Sequence, residues 1–179
     1  MSDRRTALDR FGDTLLACQA SLYRYARSLT RDPMSAEELV QETFRRALGA
    51  RQKPVPPTEE NTRAWLFTIL RHHWLNELRR NKNSRAFDLH EIPLYTEPLD
   101  AQLSRKLLQS EIRTAIDMLP EPYREVVVLR DIEGMSYDEI ARLLACRPGT
   151  VMSRLSRARD LLRRALLVSH AKESTEVER

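Results

Sequence analysis

Apolar residues recur at three- and four-residue intervals along most of this chain, the spacing of helices with one buried face. Leu8, Phe11, Leu15, Leu22, Tyr25, Ala26 and Leu29 mark one or two helices between residues 6 and 30, ending near Arg31, Asp32 and Pro33. Leu39, Val40, Phe44, Ala47 and Leu48 mark the next. Ser35 opens it, with Glu38 at the spacing of a capping box. Pro54, Pro56 and Pro57 make residues 49–61 a loop, because proline lacks the N–H a helix interior needs. Helical spacing returns over 62–80 with Trp65, Leu66, Ile69, Leu70 and Leu78. It is lost again until about residue 104, where Pro93 and Pro98 interrupt an acidic stretch that reads as an extended linker. Leu107, Leu108, Ile112, Ala115, Ile116 and Leu119 restore a helix, Pro122 suits the start of another, and Gly134 ends it. The pattern predicts an all-α chain of two small helical domains: residues 6–82, a linker at 83–104, residues 105–168, and a polar, disordered tail at 169–179.

Residues 136–166 carry the strongest local signal. Ser136 and Glu139 form a capping-box pair, and Ile140, Leu143 and Leu144 share one helical face. Cys146, Arg147, Pro148 and Gly149 break the pattern, with Pro148 suited to the first turn of a new helix. Val151, Leu155, Ala158 and Leu162 then face inward. A short helix, a tight turn and a basic helix form a helix-turn-helix, whose second helix enters the major groove of DNA. Six Arg against one Asp between residues 147 and 166 leave a charge of +5, which suits phosphate contact. A solvated basic face on an ordinary helical hairpin has the same charge, so the cap, the turn and the sidedness carry the assignment.

Composition adds exclusions. Formal net charge is +4, and the basicity is local. Residues 62–82 hold five Lys/Arg and one Glu, interleaved with both tryptophans of the chain, Trp65 and Trp74. Rings and cations together suit unpaired bases, which stack on aromatics while phosphates meet the charge; the alternative is that both tryptophans belong to the core. His72 and His73 point to different sides of a helix and have no ligand spacing around them, so no metal is expected. Cys18 and Cys146 form no disulfide framework and read as buried free thiols in a reducing cytoplasm. No apolar run approaches the roughly 20 residues that span a bilayer, and residues 1–13 lack a signal-peptide core. A soluble, cytoplasmic protein is expected. No Gly-rich phosphate loop or nucleophile with a placed base is present, so neither an enzyme nor a cofactor is indicated.

The motifs in order resemble the extracytoplasmic-function (ECF) sigma factors, bacterial transcription initiation factors. AEELVQETFRRAL resembles region 2.2, TRAWLFTILRHHWLNELRR regions 2.3 and 2.4, and LPEPYREVVVLRDIEGMSYDEIARLLACRPGTVMSRLSRARDLLRRAL region 4. The resemblance implies a helix docking on the clamp helices of the largest subunit of core RNA polymerase, with Glu38, Gln41, Glu42 and Arg45 in contact. It implies that the loop at 51–61 and the helix after it open the upstream minus-ten element and hold a flipped base, with Trp65, His72, Asn76, Arg79 and Arg80 as the DNA-facing set. Capture of an extruded base offsets the few kcal/mol typical of unstacking it. It implies that Arg147, Thr150, Ser153, Arg154 and Arg157 read the minus-thirty-five element as duplex; Arg suits guanine edges, Ser and Thr phosphates. An acidic linker threading the polymerase near the RNA exit path, contact with the polymerase flap, and an inhibitory anti-sigma partner are further implications. Two positions depart from the family pattern: His72, where many relatives carry Asn, and Met152, where many carry a basic residue. The main rival is a stand-alone helix-turn-helix regulator, which leaves the second basic-aromatic helix and the face at Glu38 to Glu42 without a use.

Overall fold

A computed structural model describes residues 2–50, 59–82 and 110–176, with side chains described over 11–50, 62–80 and 110–167. Among the described residues there is no strand, as expected of an all-α chain. The helices are α1 (Ser2–Thr30), α2 (Pro33–Ala50), α3 (Glu59–Lys82), α4 (110–117), α5 (Glu121–Val127), α6 (Tyr137–Leu144) and α7 (Pro148–Glu176). The segments 51–58 and 83–109, which include most of the expected loop and all of the expected linker, lie outside the described residues.

The first three helices form a bundle. Leu15, Cys18, Leu22, Tyr25, Ala26 and Leu29 make a buried stripe on α1 at alternating three- and four-residue steps. Against it lie Ala36, Leu39, Val40, Thr43 and Ala47 of α2, and Leu66, Phe67 and Leu70 of α3. The rings of Tyr25 and Phe67 stack with centroids 5.2 Å apart. The α1–α2 turn departs from expectation. Pro33 occupies the first turn of α2, and the Ser35 N–H donates to Asp32 Oδ2 at 2.7 Å. Asp32 is therefore the cap, and Ser35 with Glu38 is not. Leu48, expected inside, is 51% exposed, because it lies one residue past the last inward position, Ala47.

The second group is built on the helix-turn-helix. Ser136 caps α6: its hydroxyl accepts from the Glu139 N–H, while its own N–H donates to the Glu139 carboxylate at 2.7 Å. Ile140, Leu143 and Leu144 pack against Val151, Leu155 and Ala158 of α7, all buried as the spacing indicates. α6 ends on Ala145 in the left-handed conformation, φ 52°. α5 runs without a break into a wider turn at Val128–Ile132, where the Glu133 N–H reaches back five residues to the Val128 carbonyl at 2.9 Å. α7 continues to Glu176, through most of the tail expected to be disordered; no Gly or Pro after Gly149 stops it.

The two groups, legible in sequence only as separate units on a linker, pack directly on each other and share one core. α1 and α3 lie against α5, its wide turn and α6. The seam is polar at its centre. Tyr25 OH and Arg71 Nε both donate to Glu125 Oε1, at 2.7 and 2.8 Å. Arg24 grips both carboxylate oxygens of Glu133, at 2.7 and 3.1 Å, and Arg63 donates to its backbone carbonyl at 2.6 Å and its side chain at 3.3 Å. Arg124, buried, reaches the other way to the Ser28 carbonyl at 2.7 Å.

Candidate nucleic-acid and polymerase interfaces

The expected contact residues fall on three exposed faces. Arg147, just before α7, and Arg157 on it are exposed, Arg154 is half-buried, and none of the three has an ion pair among the described residues. Ser153 donates to the Thr150 carbonyl at 3.0 Å, which leaves its hydroxyl oxygen open as an acceptor. The other arginines of this helix are not equivalent. Arg159 is held by both carboxylate oxygens of Asp131, at 2.6 and 3.2 Å, and Arg163 by Asp160 at 2.8 Å. The +5 counted from sequence therefore overstates the charge free to meet phosphates.

On α3, His72, Asn76, Arg79 and Arg80 are all exposed. Trp65 is half-buried and rests tilted against Phe11, ring centroids 6.5 Å apart. Its neighbour in type, Trp74, is half-buried with a buried indole N–H that has no hydrogen-bond partner among the described residues, so its ring is chiefly packing. His73, 7% exposed, turns inward, its Nε2 3.3 Å from Glu77. Desolvation lowers its pKa, against the opposing pull of Glu77, so the imidazole is neutral.

On α2, Glu38, Gln41 and Arg45 are exposed and Glu42 half-buried. Arg45 donates to both oxygens of Glu42, each at 2.7 Å, and Arg46 adds a third bond at 2.6 Å. These bonds hold the Glu42 carboxyl at a pKa of about 2. The acidic character of this face therefore rests on Glu37 and Glu38, with Glu42 already neutralised within the helix. A cleft of about 590 Å³ between α2 and α3 is lined by Glu38, Glu42 and Arg45 together with His73, Trp74 and Arg80. It brings part of the expected polymerase set beside one member of the expected DNA set. Among the described residues no cluster suits a metal ion, and no helix is long and apolar enough to cross a membrane.

In the sequence Glu125, Glu133 and Arg24 drew no reading as seam residues, and Arg63 and Arg71, counted among the cations of 62–82, are tied instead to Glu133 and Glu125. One signal was present: residues 126–129 read Val-Val-Val-Leu, apolar around more than half a helical turn, which only a helix covered on several sides tolerates.

Two family models match, one described as Sigma-70 region 2 over residues 15–84 and one as Sigma-70 region 4 over residues 109–162. The chain is 35% identical over 172 residues to the ECF RNA polymerase sigma factor EcfG of Rhodopseudomonas palustris, covering 92% of this chain and 90% of that one. Among solved structures, it resembles the sigma factor RpoE in complex with the anti-sigma factor NepR from Bartonella quintana, with a TM-score of 0.67, 31% identity, and coverage of 89% of this chain and 98% of that one. It also resembles CnrH in complex with the cytosolic domain of CnrY, with a TM-score of 0.59, 29% identity, and coverage of 89% and 88%. Such factors are not enzymes; they partner with RNA polymerase and direct it to particular promoters. The likeness to EcfG over nearly the whole of both chains, with regions 2 and 4 in order, shows that this protein belongs to the ECF sigma factors and acts as an alternative sigma factor in transcription initiation.

Proposed function

We propose that the three exposed faces divide the work of initiation. The α2 face, through Glu38, Gln41, Glu42 and Arg45, docks on the clamp helices of the polymerase's largest subunit. The α3 face, through His72, Asn76, Arg79 and Arg80 with Trp65 beside them, opens the minus-ten element. The N-terminal turns of α7, through Arg147, Thr150, Ser153, Arg154 and Arg157, read the minus-thirty-five element as duplex. The division follows the two units proposed from sequence, 6–82 and 105–168, with the linker at 83–104 carrying the polymerase-threading role and the second unit meeting the flap.

The observation that carries this reading is the contrast in pairing. Arg159, Arg163, Arg63 and Arg71 are tied to carboxylates, whereas Arg147, Arg154 and Arg157 keep their charge free among the described residues. Unspent cations at the start of a helix-turn-helix second helix are what groove entry requires.

An anti-sigma partner fits the same account. A groove of about 550 Å³ between α1, α4 and the wide turn at Val128–Ile132 exposes Ile112 and Ile132, with Arg24, Arg27 and Arg113 at its edge. Its apolar floor and basic rim suit an acidic amphipathic helix. Photocross-linkers placed at Glu38 and Gln41 test the docking surface: the expected product with core polymerase joins this chain to the largest subunit, and cross-links from α7 alone overturn the assignment.

A further inference from the structure

We propose that Met152 is a specificity-determining residue of the duplex-reading helix, and that it reads the 5-methyl group of a thymine in the minus-thirty-five element. The proposal rests on the reading that the N-terminal turns of α7 enter the major groove.

Met152 lies in the second turn of α7 and is 56% exposed. The inward row of Val151, Leu155 and Ala158 fixes the rotation of the helix. With about 3.6 residues per turn, Ser153 then points directly away from the core, and Met152 and Arg154 lie about 100° to either side of it. The two flanks differ in chemistry. One carries Thr150, Arg154 and Arg157, and neither of its arginines has an ion pair among the described residues. The other carries Met152, Ser156 and Arg159, and Asp131 holds Arg159 at 2.6 Å. The wide turn that bears Asp131 therefore keeps the cation of that flank occupied. What the flank offers to DNA is a thioether and a hydroxyl.

Groove entry takes the Met152 side chain out of water. On the major-groove edge of the base pairs, thymine presents a methyl group, and the remaining groups are hydrogen-bond donors and acceptors. A thioether laid against an amino or carbonyl group deprives it of water and returns a weak acceptor at best. Laid against a methyl, it removes apolar surface on both partners. Met152 thus favours thymine by attraction and rejects other bases at that step by desolvation. Its unbranched, flexible chain can follow the groove wall to reach the methyl. A basic side chain at this position would instead meet phosphates, which carry no sequence information directly.

The test uses the full chain assembled with core polymerase. Its probes are promoter duplexes of co-regulated genes in which each thymine of the minus-thirty-five element is replaced in turn by uracil. That change removes the methyl and leaves the hydrogen-bonding edge intact. One position is expected to lose about fourfold in affinity, the worth of one methyl group taken out of water. Met152→Ala is expected to bind the thymine and uracil duplexes equally at that position, with an unchanged Tm. Met152→Leu is expected to keep the preference. Met152→Arg is expected to lose it and to steepen the slope of log affinity against log salt by about 0.9. A thymine preference that survives in Met152→Ala belongs to another residue and overturns the proposal. Uracil tolerated by the parent at every position, with other base changes still weakening binding, overturns the role of Met152 and leaves the duplex-reading role of α7 standing. Affinity indifferent to every base change in the element overturns both.

Discussion

Arg157 and Arg159 sit two residues apart on α7, are both exposed, and differ in one respect. Arg159 spends its charge on Asp131, with its closest contact at 2.6 Å, and Arg157 has no ion pair among the described residues. Each phosphate neutralised by a free cation contributes about −0.9 to the slope of log affinity against log salt. Arg157→Ala is therefore expected to make that slope shallower by about 0.9. Between 50 and 200 mM salt this is about a 3.5-fold smaller loss of affinity than in the parent. Arg159→Ala removes a charge that Asp131 already balances, and the slope is expected to stay within about 0.3 of the parent. Fluorescence anisotropy with a labelled duplex of arbitrary sequence, titrated at several salt concentrations, reads both, because phosphate contact needs no promoter. Slopes that change equally in the two variants, or more in Arg159→Ala, refute the assignment of free and spent arginines on which the duplex-reading face rests.

Three further outcomes follow from the geometry. Ser136→Ala removes the α6 cap and is expected to cost about 1 kcal/mol, a fall in Tm of about 2–4 °C. The Ser136 hydroxyl and N–H lower the Glu139 pKa, so that carboxylate's share is present above the ordinary carboxylate range and shrinks as pH falls through its lowered value; melts of parent and variant converge in acid. His73 is held neutral, its pKa depressed by burial despite Glu77, so its contribution is present above about pH 6.5 and is lost as pH falls below it. His73→Leu is expected to flatten the difference in Tm between pH 7.5 and 5.5, and an unchanged difference counts against the buried imidazole. Trp74→Phe keeps the packing and removes an N–H that has no partner among the described residues, so its melt is expected within about 1 kcal/mol of the parent, whereas Trp74→Ala loses about 3 kcal/mol, the low end for a ring only half-buried; normal stability with failed promoter opening in Trp74→Ala returns that ring to the DNA.

What was legible in the sequence was local. Ser136 with Glu139, Pro148, and the inward row of Val151, Leu155 and Ala158 each act within one or two helical turns, and the helix-turn-helix follows from them. The ends of α1 and α6 were legible too, at Thr30 and Leu144 just before the breaks expected at residues 31–33 and 146–149. The left-handed residue at each stop, however, is Arg31 or Ala145, with φ of 60° and 52°, in the usual place of glycine. The α2 start was misplaced because Ser35 and Glu38 have the right spacing but Asp32 and Pro33 come first. The seam was illegible for a different reason. Glu133 meets Arg24 across 109 residues and Glu125 meets Tyr25 across 100, and no periodicity distinguishes a glutamate bound for such a partner from one bound for water. The same blindness made the six arginines from Arg147 to Arg164 look alike.

The division of labour between the two units is tested most directly by run-off transcription with purified core polymerase, this chain, and promoters of co-regulated genes, each supplied as duplex and as a template already unpaired at the minus-ten element. The account predicts chain-dependent, promoter-specific transcripts from duplex, a loss of those transcripts in Arg154→Ala, and recovery of that variant on the unpaired template. Equal impairment of Arg154→Ala on both templates, or transcripts that do not depend on the chain, would contradict it.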